Sequence, residues 1–350
     1  MEIRACGISG LQLSALGLGC WAFGGGEYWG ESDQENVNRL VQRAYDLGVT
    51  YFDTAEAYNE GRSEQFLGKA IKTIPRDRIV IGSKIAPSNT RPDTLVEHCE
   101  ASLARLGTDY VDLYMIHWPV HPHAIRHHTD DEDLISNPPS LKDAVHTLLR
   151  LQKEGKIRYL GVSNFGLKRL EEILHVGGDY VANQLGYSLL TRAAEMEILP
   201  YCEQKNVGVI AYMVLMQGLL ADRWRSFEEI PEWQKRTRHF NCQRTPLCRH
   251  GEEGAEEETL QALDRIRRIA KECGMTMSDV ALNWAVANQG ISSVLVGTQS
   301  VKRLEANVKG VAEPLPPDVI EKLDLATEPL KQKLGPCLDL FESVQNDRTK

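Results

Sequence analysis

Eight short apolar runs recur along this chain, each followed by a longer amphipathic or loop segment, and that alternation limits the fold more than any other feature. The runs cover residues 15–19, 49–53, 79–84, 111–117, 157–163, 180–184, 207–212 and 293–297. Each is apolar on both faces and has the length of a buried parallel strand. The segments between them read as helices. Residues 33–47 follow Ser32 and Glu35 in capping-box spacing and stop at Gly48. Residues 92–106 stop at Gly107, and residues 140–154 start on a Ser and stop at Gly155. Residues 167–175, 193–205, 256–273 and 278–288 continue the pattern. Eight strands alternating with helices describe an α/β chain, a (β/α)8 TIM barrel. A doubly wound sheet alternates in the same way, and periodicity does not separate the two. Residues 2–14 read as an N-terminal β-hairpin turning at 7–10.

Two connections are too long for ordinary loops and belong at the C-terminal rim. One spans 118–139. The other spans 217–254 and carries Arg223, Trp224, Arg225, Trp233, Arg236, Arg238 and Arg244. A single barrel domain is expected over 1–328. The tail, 329–350, has weak periodicity and is expected to be partly disordered, with QNDRTK frayed.

Composition excludes several classes. Among 350 residues, 42% are apolar and 25% charged, which is ordinary for a globular chain that buries a large core. The formal charge is −9 and no basic patch stands out, so nucleic acid is not an expected partner. No run of 18 apolar residues is present, so no membrane span is expected. The first residues, MEIRACGISG, lack a basic stretch followed by an apolar one, so the expected location is cytoplasmic. The eight cysteines form no C-x-x-C pair and read as free thiols.

The strand ends carry the chemistry. Apolar runs finish in Asp53, Lys84, His117, Ser163 with Asn164, Gln184, and Tyr212. In a barrel all of these meet at the C-terminal mouth, where barrel active sites sit. Asp53 and Lys84 would pair, because lone buried charges are costly; a purely structural ion pair is one reading. The other adds Tyr58, in the loop past Asp53. A phenol has a pKa of about 10, and a nearby ammonium favours the phenolate. Lys84 would then lower the Tyr58 pKa, Asp53 would hold Lys84 charged, and His117 would polarise a substrate oxygen.

The motifs GVTYFDTAEAY, IGSKI, VDLYMIHWP and IRYLGVSNF, in this order, resemble the aldo-keto reductase superfamily. The resemblance runs from about Gly10 to Asn307 and implies a (β/α)8 barrel that binds a nicotinamide dinucleotide without a Rossmann fold. It implies that Asp53, Tyr58, Lys84 and His117 are the catalytic residues, with Tyr58 the proton donor. It places Ser163, Asn164 and Gln184 at the nicotinamide carboxamide, Tyr212 on the nicotinamide ring, and Cys20 and Trp21 at the cofactor. After the seventh strand, family members carry Tyr-Ser-Pro-Leu; here the run is Tyr212, Met213, Val214, Leu215, then Gly218, with Arg223 at the basic position. Arg223 suits a phosphate. After the eighth strand, Gly297, Thr298, Gln299 and Ser300 open a helix holding Arg303 and Asn307, and a helix start is a natural anion site. By resemblance this segment grips an adenosine 2′-phosphate, which favours NADP(H).

Trp21, Trp29 and Trp118 fall in loops that line the family's substrate pocket. His121, His123, His127 and His128 crowd one loop without acidic or Cys partners at ligand spacing, so no metal is expected. The acidic run 252–258 reads as a helix start or as contacts to an adenine amino group. The expected activity is reduction of an aldehyde or ketone, among them sugar and polyol derivatives, to an alcohol. Two alternatives stay open: an NADPH-binding sensor or accessory subunit, and an aldolase using Lys84 as a Schiff-base nucleophile, which an adjacent Asp would disfavour. The expected partner is a small carbonyl or sugar substrate; a homo-oligomer is left open.

Overall fold

The computed structural model describes residues 1–26, 28–224 and 226–350. Glu27 and Arg225, the latter named above in the second long connection, lie outside them. The chain opens with an antiparallel hairpin, β1 (Ile3–Ala5) and β2 (Gln12–Ser14). Eight strands follow: β3 (Leu16–Gly19), β4 (Tyr51–Asp53), β5 (Val80–Ile85), β6 (Val111–Ile116), β7 (Ile157–Ser163), β8 (Tyr180–Gly186), β9 (Gly208–Tyr212) and β10 (Ile291–Gly297). They close into one barrel in sequence order, with β10 pairing parallel to both β9 and β3. The closed order selects the barrel over the doubly wound sheet that the same periodicity allowed.

The helices cover the barrel. They begin with α1 (Gln34–Asp46), α2 (Arg62–Ala70), α3 (Pro92–Leu106), the short α4 (Pro122–Ile125) and α5 (Glu132–Ser136), and α6 (Leu141–Lys153). They continue with α7 (Leu167–Val176), α8 (Ile198–Gln204), α9 (Glu256–Glu272), α10 (Met277–Ala287), α11 (Val301–Gly310) and α12 (Pro317–Leu334). The expected helix 193–205 is broken, with a 3-10 turn at Ala193–Glu195 before α8.

Strand alternation divides the core in two. Phe52, Tyr114, Ile116, Leu160 and Val162 point outward and pack under the helices. Tyr51, Leu113, Met115, Ala182, Ile210 and Leu295 point inward and pack with Cys6, Leu11 and Leu13 of the hairpin, which plugs the barrel. The hairpin turn needs Gly7: its φ is +60°, and a Cβ there would lie 2.2 Å from the Asn206 carbonyl oxygen. The same inward parity that places Tyr51 and Met115 in the core brings Asp53 and His117 to the top of the barrel.

Two expectations about the tail need correction. Helix α12 runs through residue 328 to Leu334 with Pro329 inside it. Proline removes a backbone donor, and the carbonyl it would have bonded belongs to Leu325, which is 65% exposed and open to water. The last residues are also not frayed, for Asp347, Arg348 and Thr349 are buried. Arg348 grips Asp339 through Nε at 2.6 Å and Nη2 at 2.8 Å, its guanidinium lies 4.0 Å over the Trp118 ring, and the Thr349 carbonyl accepts from the Gly166 N–H at 2.9 Å. The tail is therefore part of the rim. No helix among the described residues is long and apolar enough to cross a membrane.

Candidate active site

Asp53 ends β4 and Lys84 lies on β5, its neighbour in the barrel. The Lys84 ammonium donates to Asp53 Oδ1 at 2.6 Å, to the Thr54 carbonyl at 2.8 Å and to the Tyr58 hydroxyl at 3.2 Å, so all three of its protons have acceptors. The other Asp53 oxygen accepts from the Tyr51 hydroxyl at 3.0 Å and from Gln184 Nε2 at 2.7 Å. Both side chains are excluded from water, at 0% and 3% exposure. A buried pair is tolerable when the remaining donors and acceptors are satisfied, as they are here. Burial alone would depress the Lys84 pKa, but Asp53 and Tyr58 more than reverse that and raise it. A permanently charged amine is no Schiff-base nucleophile.

Tyr58 follows a turn closed by its own N–H on the Ala55 carbonyl. The next residue, Asn59, has φ 51°, a left-handed conformation that Asn tolerates. Its amide donates to the Trp21 and Phe23 carbonyls at 2.7 and 2.8 Å, tying the Tyr58 loop to the loop after β3. Lys84 occupies a lone pair of the Tyr58 oxygen and leaves its O–H free to donate. Burial pushes the phenol up, Lys84 pulls it down, Asp53 pushes it up again, and the balance lies above the usual value. The net lowering expected from Lys84 is thus outweighed by desolvation and by the carboxylate behind it.

His117 follows β6, with its ring 5.6 Å from that of Tyr58 at 72°. Its Nδ1 is buried without a hydrogen-bond partner among the described residues. Burial, then the charges of Lys84, His128 and Arg348, hold the imidazole well below its usual pKa. It is a neutral imidazole at pH 7, able to donate from one nitrogen.

Beside this cluster the ends of β7, β8 and β9 group their polar atoms. Asn164, at φ 63°, donates to the His117 carbonyl and to Ser163 Oγ, both at 3.0 Å, and accepts from the Tyr212 hydroxyl at 2.7 Å. Ser163 Oγ donates to the Gln184 carbonyl at 3.1 Å. The Gln184 amide nitrogen is committed to Asp53, which links this group to the Lys84 pair. Cys20 is fully buried beside Asp53: its N–H donates to the Asp53 carbonyl, and its own carbonyl accepts from Ser63.

Past β9, Met213, Met216 and Gln217 have positive φ, and Gly218 follows at +101°. Leu215 is half-buried, and the exposed Arg223 lies 5.1 Å over Trp224. Past β10, Gly297 is exposed, Thr298 Oγ1 accepts from the Ser300 N–H at 3.1 Å, and Ser300 caps α11. Gln299 reaches the Ala22 carbonyl at 3.3 Å and accepts from Asn36 at 2.8 Å. Arg303 is exposed on the first turn of α11, and Asn307 is buried below it. Neither Arg223 nor Arg303 has a carboxylate partner among the described residues. A nicotinamide dinucleotide fits these donors: amide and hydroxyl groups converge beside Tyr58 and Lys84, and two guanidiniums without a carboxylate among the described residues lie beyond, in a chain of charge −9.

The expected substrate residues divide between two walls. Trp21 lies 6.1 Å from the Tyr58 ring and 5.2 Å from Trp29. Tyr28 and Trp233, which sequence reasoning did not place there, complete this wall: Tyr28 is 6.2 Å from Trp21, and Trp233 is 5.5 Å from Tyr28 and 5.8 Å from Trp29. Trp118 lies under Arg348 on the other wall, with the His128 ring 6.1 Å from His117. The histidine-rich loop mainly fastens the tail, His121 to the Arg348 carbonyl at 2.8 Å and His127 to Glu342 at 3.3 Å. Among the described residues no group of three or more His, Cys, Asp or Glu could hold a metal. In the acidic run, Glu252 and Glu256 pair with Arg238 and Arg244.

The barrel mouth thus holds a buried carboxylate–ammonium pair behind a phenol and a neutral imidazole, and the comparisons give the chain its family. The aldo/keto reductase family model matches residues 15–328, and the chain belongs to that family. It is similar to the NADH-specific methylglyoxal reductase of Escherichia coli (30% identity, covering 86% of this chain and 91% of that one). It is similar to a putative voltage-gated potassium channel subunit beta of Schizosaccharomyces pombe (31% identity, 93% and 92% covered). Among solved structures it resembles an aldo-keto reductase from Klebsiella pneumoniae in complex with NADPH (TM-score 0.68, 25% identity, 100% and 99% covered). Membership makes the protein an oxidoreductase acting on carbonyl compounds.

Proposed function

We propose that this protein reduces a small aldehyde or ketone to its alcohol with NADP(H), and that Tyr58 supplies the proton. The observation that carries the reading is the Lys84 ammonium seated between Asp53 and Tyr58, at 2.6 and 3.2 Å. When bound, the nicotinamide supplies the hydride. The chain's residues do the rest. The Tyr58 O–H and a His117 N–H converge on the carbonyl oxygen and polarise it. As negative charge develops there, Tyr58 gives up its proton, and the adjacent ammonium stabilises the phenolate left behind. Asp53, fixed by Tyr51 and Gln184, keeps Lys84 charged and aimed. Ser163, Asn164 and Gln184 would hold the carboxamide, Tyr212 and Trp21 the ring, and Leu215, Gly218, Arg223, Gly297, Thr298, Gln299, Arg303 and Asn307 the phosphates and adenosine. The name of the fission-yeast relative points to an accessory role; the complete proton-transfer cluster favours turnover. The test is NADPH absorbance with enzyme in excess over a panel of aldehydes, keto-sugars and sugars. Consumption with at least one member is expected, and none with any would refute the reading.

The preference for NADPH over NADH rests on Arg303, since the two dinucleotides differ only in the 2′-phosphate. Hydrogen bonds to charged groups are worth about 1.5–3 kcal/mol, or roughly ten- to a hundredfold in affinity. Arg303→Ala is expected to weaken NADPH by about that factor and leave NADH unchanged, read by fluorescence titration of both at fixed salt. Equal losses would place Arg303 on the adenosine that the two share, and would remove the case for NADPH.

A further inference from the structure

Arg236 stands at the far end of the aromatic wall from Tyr58. Its guanidinium lies 5.2 Å from the Tyr28 ring and 5.6 Å from the Phe341 ring, held between the loop after β3 and the C-terminal tail. Its Nε donates to the Trp233 carbonyl at 2.6 Å. Among the described residues neither terminal nitrogen has an acceptor and no carboxylate pairs with it. The residue is half-buried. Other arginines in the same connection and in the tail are neutralised, Arg238 by Glu252, Arg244 by Glu256 and Glu228, Arg249 by Glu342, and Arg348 by Asp339. Arg223 shares the lack of an acid among the described residues, but it is exposed, whereas Arg236 is held between two rings.

A second, independent observation lies in the same wall. Trp29 Nε1 is buried with no hydrogen-bond partner among the described residues. An indole N–H and the two free ends of a guanidinium are donors only. A buried donor left unmade is costly, and Trp29 Nε1 is one. Two rings and a backbone carbonyl fix the plane of Arg236, so its fork is set for a bidentate oxyanion. Tyr28 and Trp21 connect it to Tyr58 through successive ring contacts of 6.2 and 6.1 Å.

We infer that Arg236 receives an anionic group, a carboxylate or a phosphate, on the substrate end remote from its carbonyl. This inference rests on the carbonyl-reducing reading of the site and narrows it to anionic carbonyl compounds. Arg236 is a specificity-determining residue, since it touches neither Tyr58 nor Lys84. Its loss should act on charged substrates and spare neutral ones of the same length.

Two measurements test this separately from the reductase reading. In the first, kcat/KM is compared for glyceraldehyde 3-phosphate against glyceraldehyde, and for succinic semialdehyde against butanal. The wild type should prefer the anionic member of at least one pair, and the pair shows whether phosphate or carboxylate is favoured. Arg236→Gln should lower kcat/KM for that member roughly ten- to a hundredfold and change the neutral one less than twofold. Arg236→Lys should restore only part, because an ammonium lacks the fork. Equal losses for charged and neutral members, or no anionic preference in either pair, would overturn the assignment. In the second, tryptophan fluorescence is titrated with glycerol 3-phosphate and with 4-hydroxybutyrate, glycerol being the control. Saturable binding of an anion that weakens in Arg236→Gln supports the site even if no carbonyl is turned over, an outcome that would sink only the reductase reading. Absence of anion binding to the wild type would sink the site while leaving neutral-carbonyl turnover intact.

Discussion

Replacing Tyr58 with phenylalanine is expected to cut carbonyl turnover by about 10²- to 10⁴-fold, the usual value of a positioned general acid. The ring contacts with Trp21 and His117 survive the change, so the fold and NADPH binding should hold, as checked by thermal melting and fluorescence titration. Only the O–H that Lys84 leaves free is removed. His117 does not replace it, because the imidazole is neutral at pH 7 and its pKa is held well below the ordinary range. A loss under tenfold would take Tyr58 out of its role.

Lys84→Met is expected to affect both stability and pH dependence. The change leaves the Asp53 carboxylate buried with only the Tyr51 and Gln184 donors. Removing one partner of a buried pair costs about 3–5 kcal/mol, read as a lower denaturant midpoint. The sign with pH follows from the raised Lys84 pKa. The pair's contribution is full below the unfolded-state value of about 10.4 and is lost only as pH rises through the folded one. At neutral pH the whole penalty should therefore appear. The second effect is kinetic. Oxidation of an alcohol needs the Tyr58 phenolate, and Lys84 is the group that pulls that pKa down against burial. Without the ammonium the phenolate forms at higher pH, so the oxidative pH profile should move upward. If the variant unfolds, Lys84→Arg keeps the charge and tests the profile alone. An unshifted profile in a folded Lys84→Met variant would contradict the role given to Lys84.

Much of this was readable from residue order. Buried parallel strands announce themselves as apolar runs, and a run that ends in Asp53, Lys84 or His117 marks the rim, since the barrel core tolerates no lone charge. The missed features have physical causes. Helix α2 lacks a side-chain cap and starts after Gly61 at φ 79°, so no local signal marks its beginning. Helix α12 carries a proline that a sequence pattern takes as a stop, yet the helix runs on to Leu334. The tail looked polar and unpatterned because its order comes from partners far away in sequence: Trp118, His121 and Gly166. Tyr28, Trp233 and Arg236 come together from two loops, and no spacing rule relates residues more than two hundred positions apart.

The most direct test is a single turnover with NADPH deuterated at the transferring nicotinamide position and a carbonyl compound that the wild type consumes. Product is analysed by mass spectrometry for the wild type and for Tyr58→Phe. The account predicts one deuterium on the carbinol carbon of the wild-type product, with a solvent-derived proton on its oxygen, and at least a hundredfold slower product formation in the variant. Product without deuterium, or equal rates in the two proteins, would contradict it.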